Sequence, residues 1–456
     1  MRLKLSDIVK AAGGKLLCGD ENTVITSFFT DSRQAENGAM FVPIRGERTD
    51  GHNYISSALE AGASASFTDH PLPPETAGDK ALVLVKDCRE ALQKAAAWYR
   101  EQFQIPVVGI TGSVGKTTAK EMVAQALSAK FRVLKTAGNQ NSQVGVPITV
   151  CGLKKDHTAA VVEMGVSMPG EMARIAAVVK PTCAVMTNIG VSHIEFMKTR
   201  ENILKEKAHI ADYIPVDGAL FVNGDDDLLP TLKETLGGKV VTFGLGPTCD
   251  WRAYGLNEAD KGTFFTCLSP AGEKTEVFVP AAGEHNVRNA LAAMAVARYL
   301  GVPAEDAVRA ISAYKAPAMR QQVVEAGGLL IIDDSYNASP DSMRSAIDVL
   351  ATRPVTGKRA AVLADMLELG DFSQQGHYEV GSYARERGVE LLVAVGPLAK
   401  GIAAGYGPEA HWFATNEEAT AFLQEALRPG DAVLVKGSRG MRTDEIVAAL
   451  TAGQEA

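Results

Sequence analysis

One stretch constrains this chain more than any other: Val107-Val-Gly-Ile-Thr-Gly-Ser-Val-Gly-Lys-Thr-Thr118. The apolar run Ile105 to Ile110 predicts a buried strand, and Ala119 to Leu127 predicts a helix. Strand, small-residue loop and helix together make a phosphate cradle, because backbone N–H groups at a helix start attract anions. Gly112 and Gly115 permit the tight turn, and Ser113 and Val114 complete the loop. Lys116 is placed to reach the β and γ phosphates, Thr117 to hold Mg²⁺ through its hydroxyl, and Thr118 to follow on the helix. Ile110 occupies the first glycine position of the common G-x-x-x-x-G-K-[ST] pattern, so the match is a variant one. A nucleoside triphosphate is the ligand expected here.

At 456 residues the chain exceeds a single core, and two to four domains are expected. Its net charge of −8, with no basic stretch to offset it, argues against a nucleic-acid partner. The six cysteines are scattered without a C-x-x-C pair, which suits reduced thiols and gives no metal signal. No apolar run approaches the ~18 residues of a membrane span, and charge alternates from Arg2 onward, unlike a signal peptide. A cytoplasmic, multidomain α/β enzyme is the expectation, with no membrane insertion.

Three blocks are legible. Residues 1–85 open with the amphipathic helix Leu5 to Ala12, then short strands and the polar stretches Thr30 to Arg33 and Arg45 to Tyr54. Ser32 and Arg33 could hold a diphosphate, or could form a solvated polar turn. Residues 86–315 carry the phosphate loop, and apolar runs recur at Phe131, Ala159, Cys183, Ala219 and Val240, the rhythm of a mostly parallel sheet. Ligands gather at the carboxyl ends of such strands. The polar residues found there are Glu163, the run Thr187 to His193, and the amide-rich loop holding Asn139 and Asn141. Asp250 to Pro280 predicts an antiparallel hairpin, and a helix starting near His285 and Asn286 carries Asn289 one turn on. Residues 316–456 repeat a strand–helix rhythm without a second phosphate loop, as a Rossmann-like domain would.

Read together, these motifs resemble the Mur ligases of bacterial cell-wall synthesis. The resemblance spans nearly the whole chain and rests on Gly109 to Thr117, Gly138 to Pro147, Glu163-Met-Gly, Thr187 to His193, Glu284-His-Asn286, Asp334 to Asn337, Asp365-Met-Leu-Glu-Leu-Gly370 and Lys436 to Arg439. Ala364, Ser339 and His209 depart from the usual pattern, and none removes a group the chemistry needs. Within the family the chain looks like the branch that joins D-alanyl-D-alanine to UDP-N-acetylmuramoyl-tripeptide. A folylpolyglutamate synthase-like ligase, another Mur-type ligase and a non-catalytic nucleotide switch are the competing readings.

The resemblance implies a monomeric, three-domain, ATP-dependent ligase. Residues 1–85 would bind the UDP-muramoyl substrate through Ser32 and Arg33, residues 86–315 would bind ATP, and residues 316–456 would bind D-Ala-D-Ala. It also implies two Mg²⁺ ions, held by Thr117, Glu163 and His193. His285, Asn286 and Asn289 would lie near the nucleotide, Arg320 and Asp334 would meet phosphate and ribose, and Asn139, Asn141, Tyr336 and Asn337 would contact substrate. Finally it implies a lysine carbamylated by CO₂, for which Lys205 and Lys207 compete. Helical spacing puts Lys207 on one face with Ile203, Ile210, Ala211 and Ile214, and Lys205 on the polar face with Asn202, His209 and Asp212. Lys207 is therefore the expected carbamate, and a core-face lysine with a snorkelling head is the alternative.

Overall fold

The computed structural model describes residues 1–46, 49–259 and 261–452. It parts into two compact units. The first holds residues 1–111, 130–185 and 206–220; the second holds 112–129, 186–205 and 221–456.

In the first unit, the helix Leu5–Ala12 buries Leu5, Ile8 and Ala12 and stops at Gly13, whose left-handed backbone (φ 65°) caps it. A five-stranded sheet follows in the order Lys15–Cys18, Ala81–Leu84, Ala65–Thr68, Ala39–Phe41, Ser27–Phe29. All its pairings are parallel except the first. Phe41, Ile55, Leu59 and Leu82 pack its core. The helix Cys88–Arg100 is capped by Asp87, whose carboxylate accepts the Glu90 N–H. Ala159–Glu163 lies parallel to Val107–Thr111 on one side and to Val133–Lys135 on the other. All ten residues of Val107–Thr111 and Ala159–Glu163 are buried, as strands covered on both faces require.

The second unit contains the helix Lys116–Leu127, which starts three residues earlier than its apolar pattern suggests. The predicted hairpin is a three-stranded meander, Trp251–Ala259, Gly262–Leu268 and Lys274–Val279, the first strand running parallel to Val240–Gly244. The last block is a six-stranded sheet ordered Gln322–Ala326, Leu329–Asp334, Ala432–Lys436, Arg359–Ala364, Leu391–Val395, His411–Phe413. Only the edge strand Gln322–Ala326 is antiparallel. Alternate residues feed two cores: Ile332, Leu363, Leu392 and Leu434 face one set of helices, and Ile331, Val362, Val393 and Val435 the other. This is the doubly wound arrangement expected of residues 316–456.

Candidate active site

The phosphate loop is built by the turn Gly112–Gly115 between Thr111 and the helix Lys116–Leu127. Gly112 has φ 145°, and a Cβ there would lie 1.9 Å from Thr187 Oγ1, so only glycine fits. The loop is braced by the run after Cys183–Met186. Asn188 Oδ1 accepts the Val114 N–H at 2.8 Å, the Asn188 carbonyl accepts the Ser113 N–H at 2.9 Å, and Thr187 Oγ1 donates to the Val114 carbonyl at 2.5 Å. Lys116 folds over its own loop, with Nζ 2.9 Å from the Gly112 carbonyl and 3.1 Å from that of Ser113. Thr118 hydrogen-bonds Tyr314, and Asn289 lies beside Gly115.

The bracing run is itself clamped. Asp226 accepts the Ile189 N–H at 2.8 Å, Ser113 Oγ accepts the Gly190 N–H at 2.9 Å, and Asp341 accepts the Val191 N–H. At the end of the run, His193 takes a left-handed backbone and sets its Nδ1 2.5 Å from Glu368 Oε2. That contact holds the Glu368 carboxyl below the usual carboxylate range.

Glu163, 1% exposed, ends the strand Ala159–Glu163. Its Oε1 accepts from Asn141 Nδ2 at 2.7 Å, and its backbone N–H donates to Thr136 Oγ1 at 2.9 Å. The amide-rich loop therefore orients the carboxylate, with Asn141 half-buried and Asn139 exposed. Glu163 belongs to the first unit, and Thr117 and His193 to the second. A buried carboxylate such as Glu163 and a hydroxyl such as Thr117 are hard oxygen donors of the kind Mg²⁺ takes.

His285 and Asn286 are joined through Gln321, whose Oε1 is 3.0 Å from His285 Nε2 and 3.2 Å from Asn286 Nδ2. Burial pulls the His285 pKa down. The helix that carries Asn286 and Asn289 has Gly283 as its N-cap. The Arg320 guanidinium stacks 4.0 Å above the Tyr336 ring. Buried Lys436 binds Asp334 Oδ2 at 2.6 Å and the Asn337 carbonyl at 2.9 Å, which draws the Asp334–Asn337 motif and the Lys436–Arg439 motif into one site. Asp365 Oδ1 accepts the Ala399 N–H at 2.7 Å, His377 Nε2 the Met366 N–H at 2.9 Å, and Ser438 Oγ the Leu367 N–H at 2.9 Å, so the segment carrying Glu368 is fixed from three sides.

Ser32, Arg33 and Lys207 belong to the first unit. Ser32 and Arg33 form a short helical turn capped by Asp31; Arg33 is 87% exposed in its side chain and forks onto the Asp31 carboxylate. Lys207 is 2% exposed and Lys205 exposed on the helix Arg200–Ala208, and Ile203, Ile210, Ala211 and Ile214 are buried. The burial is as expected, but the helix ends at Ala208, and Ile210 and Ala211 lie in the separate turn His209–Ala211 with Ile214 beyond it. Glu368, Lys436, Asn188 and Thr187 were not assigned roles from sequence, although each lies inside a motif recognised there.

The sequence matches the Mur ligase middle domain over residues 110–297, the Mur ligase glutamate ligase domain over 319–439, and the Mur ligase family catalytic domain over 24–100. It is 37% identical to UDP-N-acetylmuramoyl-tripeptide--D-alanyl-D-alanine ligase of Bacillus subtilis (strain 168), over 94% of this chain and 93% of that protein. The chain belongs to the Mur ligase family. Among solved members, a MurF crystal structure from Acinetobacter baumannii superposes with a TM-score of 0.92 at 33% identity, covering 99% of each chain. MurF ligase from Thermotoga maritima in complex with ADP gives 0.83 at 28% identity, over 94% of this chain and 98% of that one. The three-domain, mostly parallel α/β architecture is that of these Mur ligases.

Proposed function

We infer that the chain is the ATP-dependent peptide ligase that joins D-alanyl-D-alanine to UDP-N-acetylmuramoyl-tripeptide in peptidoglycan precursor synthesis. One observation carries the reading: 37% identity over 94% of this chain to a relative of that name, in a chain whose Gly112–Thr118 loop is braced by Asn188. The proposed limits are 1–85 for the UDP-muramoyl domain, 86–315 for the ATP domain and 316–456 for the D-Ala-D-Ala domain. No helix among the described residues is long and apolar enough to cross a membrane, and a cytoplasmic location is part of the same proposal, since its substrates are nucleotides.

The tripeptide's terminal carboxylate attacks the γ-phosphorus of ATP, giving an acyl phosphate and ADP. The D-Ala-D-Ala amine then attacks the acyl carbon, forming the amide and releasing phosphate and a proton. Lys116 leaves the Gly112 and Ser113 carbonyls for the β and γ phosphates, and the loop N–H groups take the charge that develops on them. Thr117, Glu163 and His193 would hold Mg²⁺, which neutralises phosphate charge when bound. Asn139 and Asn141 meet the muropeptide, and Arg320, Asp334, Tyr336 and Asn337 the nucleotide and dipeptide. Lys207, buried on its helix, is the lysine that CO₂ would carbamylate; the product is an anion that orients the metal site. Binding three substrates through three domains requires closure to assemble the site.

The reading is tested by mass spectrometry of the nucleotide products. ATP, UDP-muramoyl-tripeptide and D-Ala-D-Ala should yield the UDP-muramoyl-pentapeptide and ADP. Incorporation of a single amino acid or of glutamate instead, with D-Ala-D-Ala ignored, would favour a different Mur-type ligase.

A further inference from the structure

Ile189, Gly190 and Val191 follow Asn188, whose side chain and carbonyl hold the phosphate loop. Each of the three presents its backbone N–H to a different acceptor. Asp226 Oδ2 takes that of Ile189 at 2.8 Å, Ser113 Oγ that of Gly190 at 2.9 Å, and the Asp341 carboxylate that of Val191. Arg200 holds the Ile189 carbonyl in a fork, with Nε at 3.0 Å and Nη2 at 2.7 Å. An irregular stretch depends on such partners, because no helix or strand ladder satisfies its backbone. Ser113, Arg200 and Asp226 all belong to residues 86–315. Asp341 comes from residues 316–456, as the second residue of the helix Pro340–Thr352.

Asp341 also differs from Asp226 in how its oxygens are used. Asp226 spends both, since Oδ1 accepts the N–H groups of Leu228 and Leu229 at 2.9 Å. Asp341 Oδ2 is buried and has no hydrogen-bond partner among the described residues. It presses on Gly190 instead: a Cβ at that position would lie 2.1 Å from it. The same Cβ would stand 3.5 Å from the Ser113 Cβ, an ordinary contact, so Asp341 is what excludes a side chain there. Burying a carboxylate oxygen without a partner is costly, and Arg344 and Arg200 offset its charge only in part. The helix start does not call for that placement, because Ser339 and Ser342 already form its capping box. What the placement achieves is contact. The carboxylate fills the space of the missing side chain and fixes the Gly190–Val191 backbone, which leads through Ser113 and Asn188 to the phosphate loop.

We propose that Asp341 is a positioning residue for nucleotide binding, which carries the placement of residues 316–456 to the phosphate loop through Gly190 and Val191. While the start of the helix Pro340–Thr352 is docked, all three N–H groups have acceptors and the loop keeps its braced form. A domain that swings away takes the Val191 acceptor with it and removes the wall behind Gly190. Nucleotide that prefers the braced loop therefore favours docking, and docking tightens nucleotide by the same factor. The domain limits and the choice of ADP as ligand rest on the ligase reading, but ADP binding is measured without any ligase turnover, so the two fail separately.

The test is calorimetric titration of the full-length protein with ADP and Mg²⁺. Asp341→Ala should weaken ADP binding about tenfold, and Asp341→Asn, which keeps an acceptor oxygen for Val191, should weaken it less. Gly190→Ala is the sharper probe. Gly190 lies outside the left-handed backbone region, so an added methyl group meets Asp341 rather than a backbone penalty. That variant should weaken ADP by a similar factor, and the double variant with Asp341→Ala should bind no worse than Asp341→Ala alone. Such non-additivity marks two residues acting through one contact. Circular dichroism of each variant should match the parent. An ADP affinity unchanged in Asp341→Ala, or losses that multiply in the double variant, would overturn the proposal and leave Asp341 a residue that only seats its helix. A parent that binds no ADP would contradict the ligase reading and this proposal with it.

Discussion

His193 and Glu368, 175 residues apart in sequence, meet with Nδ1 and Oε2 separated by 2.5 Å. Both have left-handed backbones, φ 63° and 62°, which a non-glycine residue adopts at a cost of about 1–3 kcal/mol and keeps only where its surroundings impose it. Gly370, two residues past Glu368, lies so near Glu195 that a Cβ would stand 3.2 Å from its Cα. The segment after Arg359–Ala364 is thus laid onto the segment after Cys183–Met186, with no side chain between them at Gly370. A carboxylate on Nδ1 fixes the imidazole's tautomer and presents Nε2, the arrangement that supports metal-binding histidines.

Glu368→Ala should therefore reduce ligase turnover roughly 10–100-fold and raise the Mg²⁺ concentration needed for half-maximal rate, with Glu368→Gln intermediate. Steady-state rates over a Mg²⁺ series check this. An unchanged Mg²⁺ dependence would show that the pair only joins two segments.

Lys116→Ala removes a cation from the transferring phosphate. It should lower kcat about 10²–10³-fold with the fold intact, because Nζ lies over the loop, at the Gly112 and Ser113 carbonyls, and not in a core. Rapid-quench measurement of ADP formation, alongside circular dichroism, reads this; near-normal turnover would mean the loop is not the catalytic cradle.

The two neighbouring lysines separate by burial. Lys207→Ala should be nearly inactive and partly restored by added short-chain carboxylates, while exposed Lys205→Ala should keep its activity. Activity with and without the additive is the readout. Loss of activity in the Lys205 variant instead would reverse the assignment.

Stability should fall on the acid side of neutrality. Burial depresses the pKa of His285 and of His377 below the ordinary value near 6.5. The unfolded chain therefore binds their protons first, so stability is complete above about pH 6.5 and declines as the pH drops toward the depressed values. His377 adds a reason of geometry: Nδ1 lies 2.6 Å from the Ser373 carbonyl and Nε2 accepts the Met366 N–H, so a second proton breaks the latter bond. Tm measured from pH 8 to pH 5 should fall, and His377→Gln should flatten the slope.

The parts of this molecule that sequence made legible are those whose physics is local. Gly112 to Thr118 carries its own strand, turn and helix start, so the cradle could be read residue by residue. Lys207 could be oriented because Ile203, Ile210, Ala211 and Ile214 mark one face at helical spacing, and all four are buried. The helix after the loop starts at Lys116 rather than Ala119 because its first turn is polar and is set by the Gly115 backbone (φ 82°), not by an apolar stripe. The strands Gln322–Ala326 and His411–Phe413 left no apolar run, since edge strands expose most of their side chains. The pairings His193 with Glu368 and Lys436 with Asp334 join residues more than a hundred apart, and the motifs show that both partners matter without showing that they touch.

The most direct test of the central claim is phosphate release followed continuously in a coupled assay while each substrate is withheld in turn. ATP turnover should appear only when both UDP-N-acetylmuramoyl-tripeptide and D-alanyl-D-alanine are present, one phosphate for each pentapeptide formed. Comparable phosphate release from ATP alone, unchanged by adding both co-substrates, would contradict the ligase account.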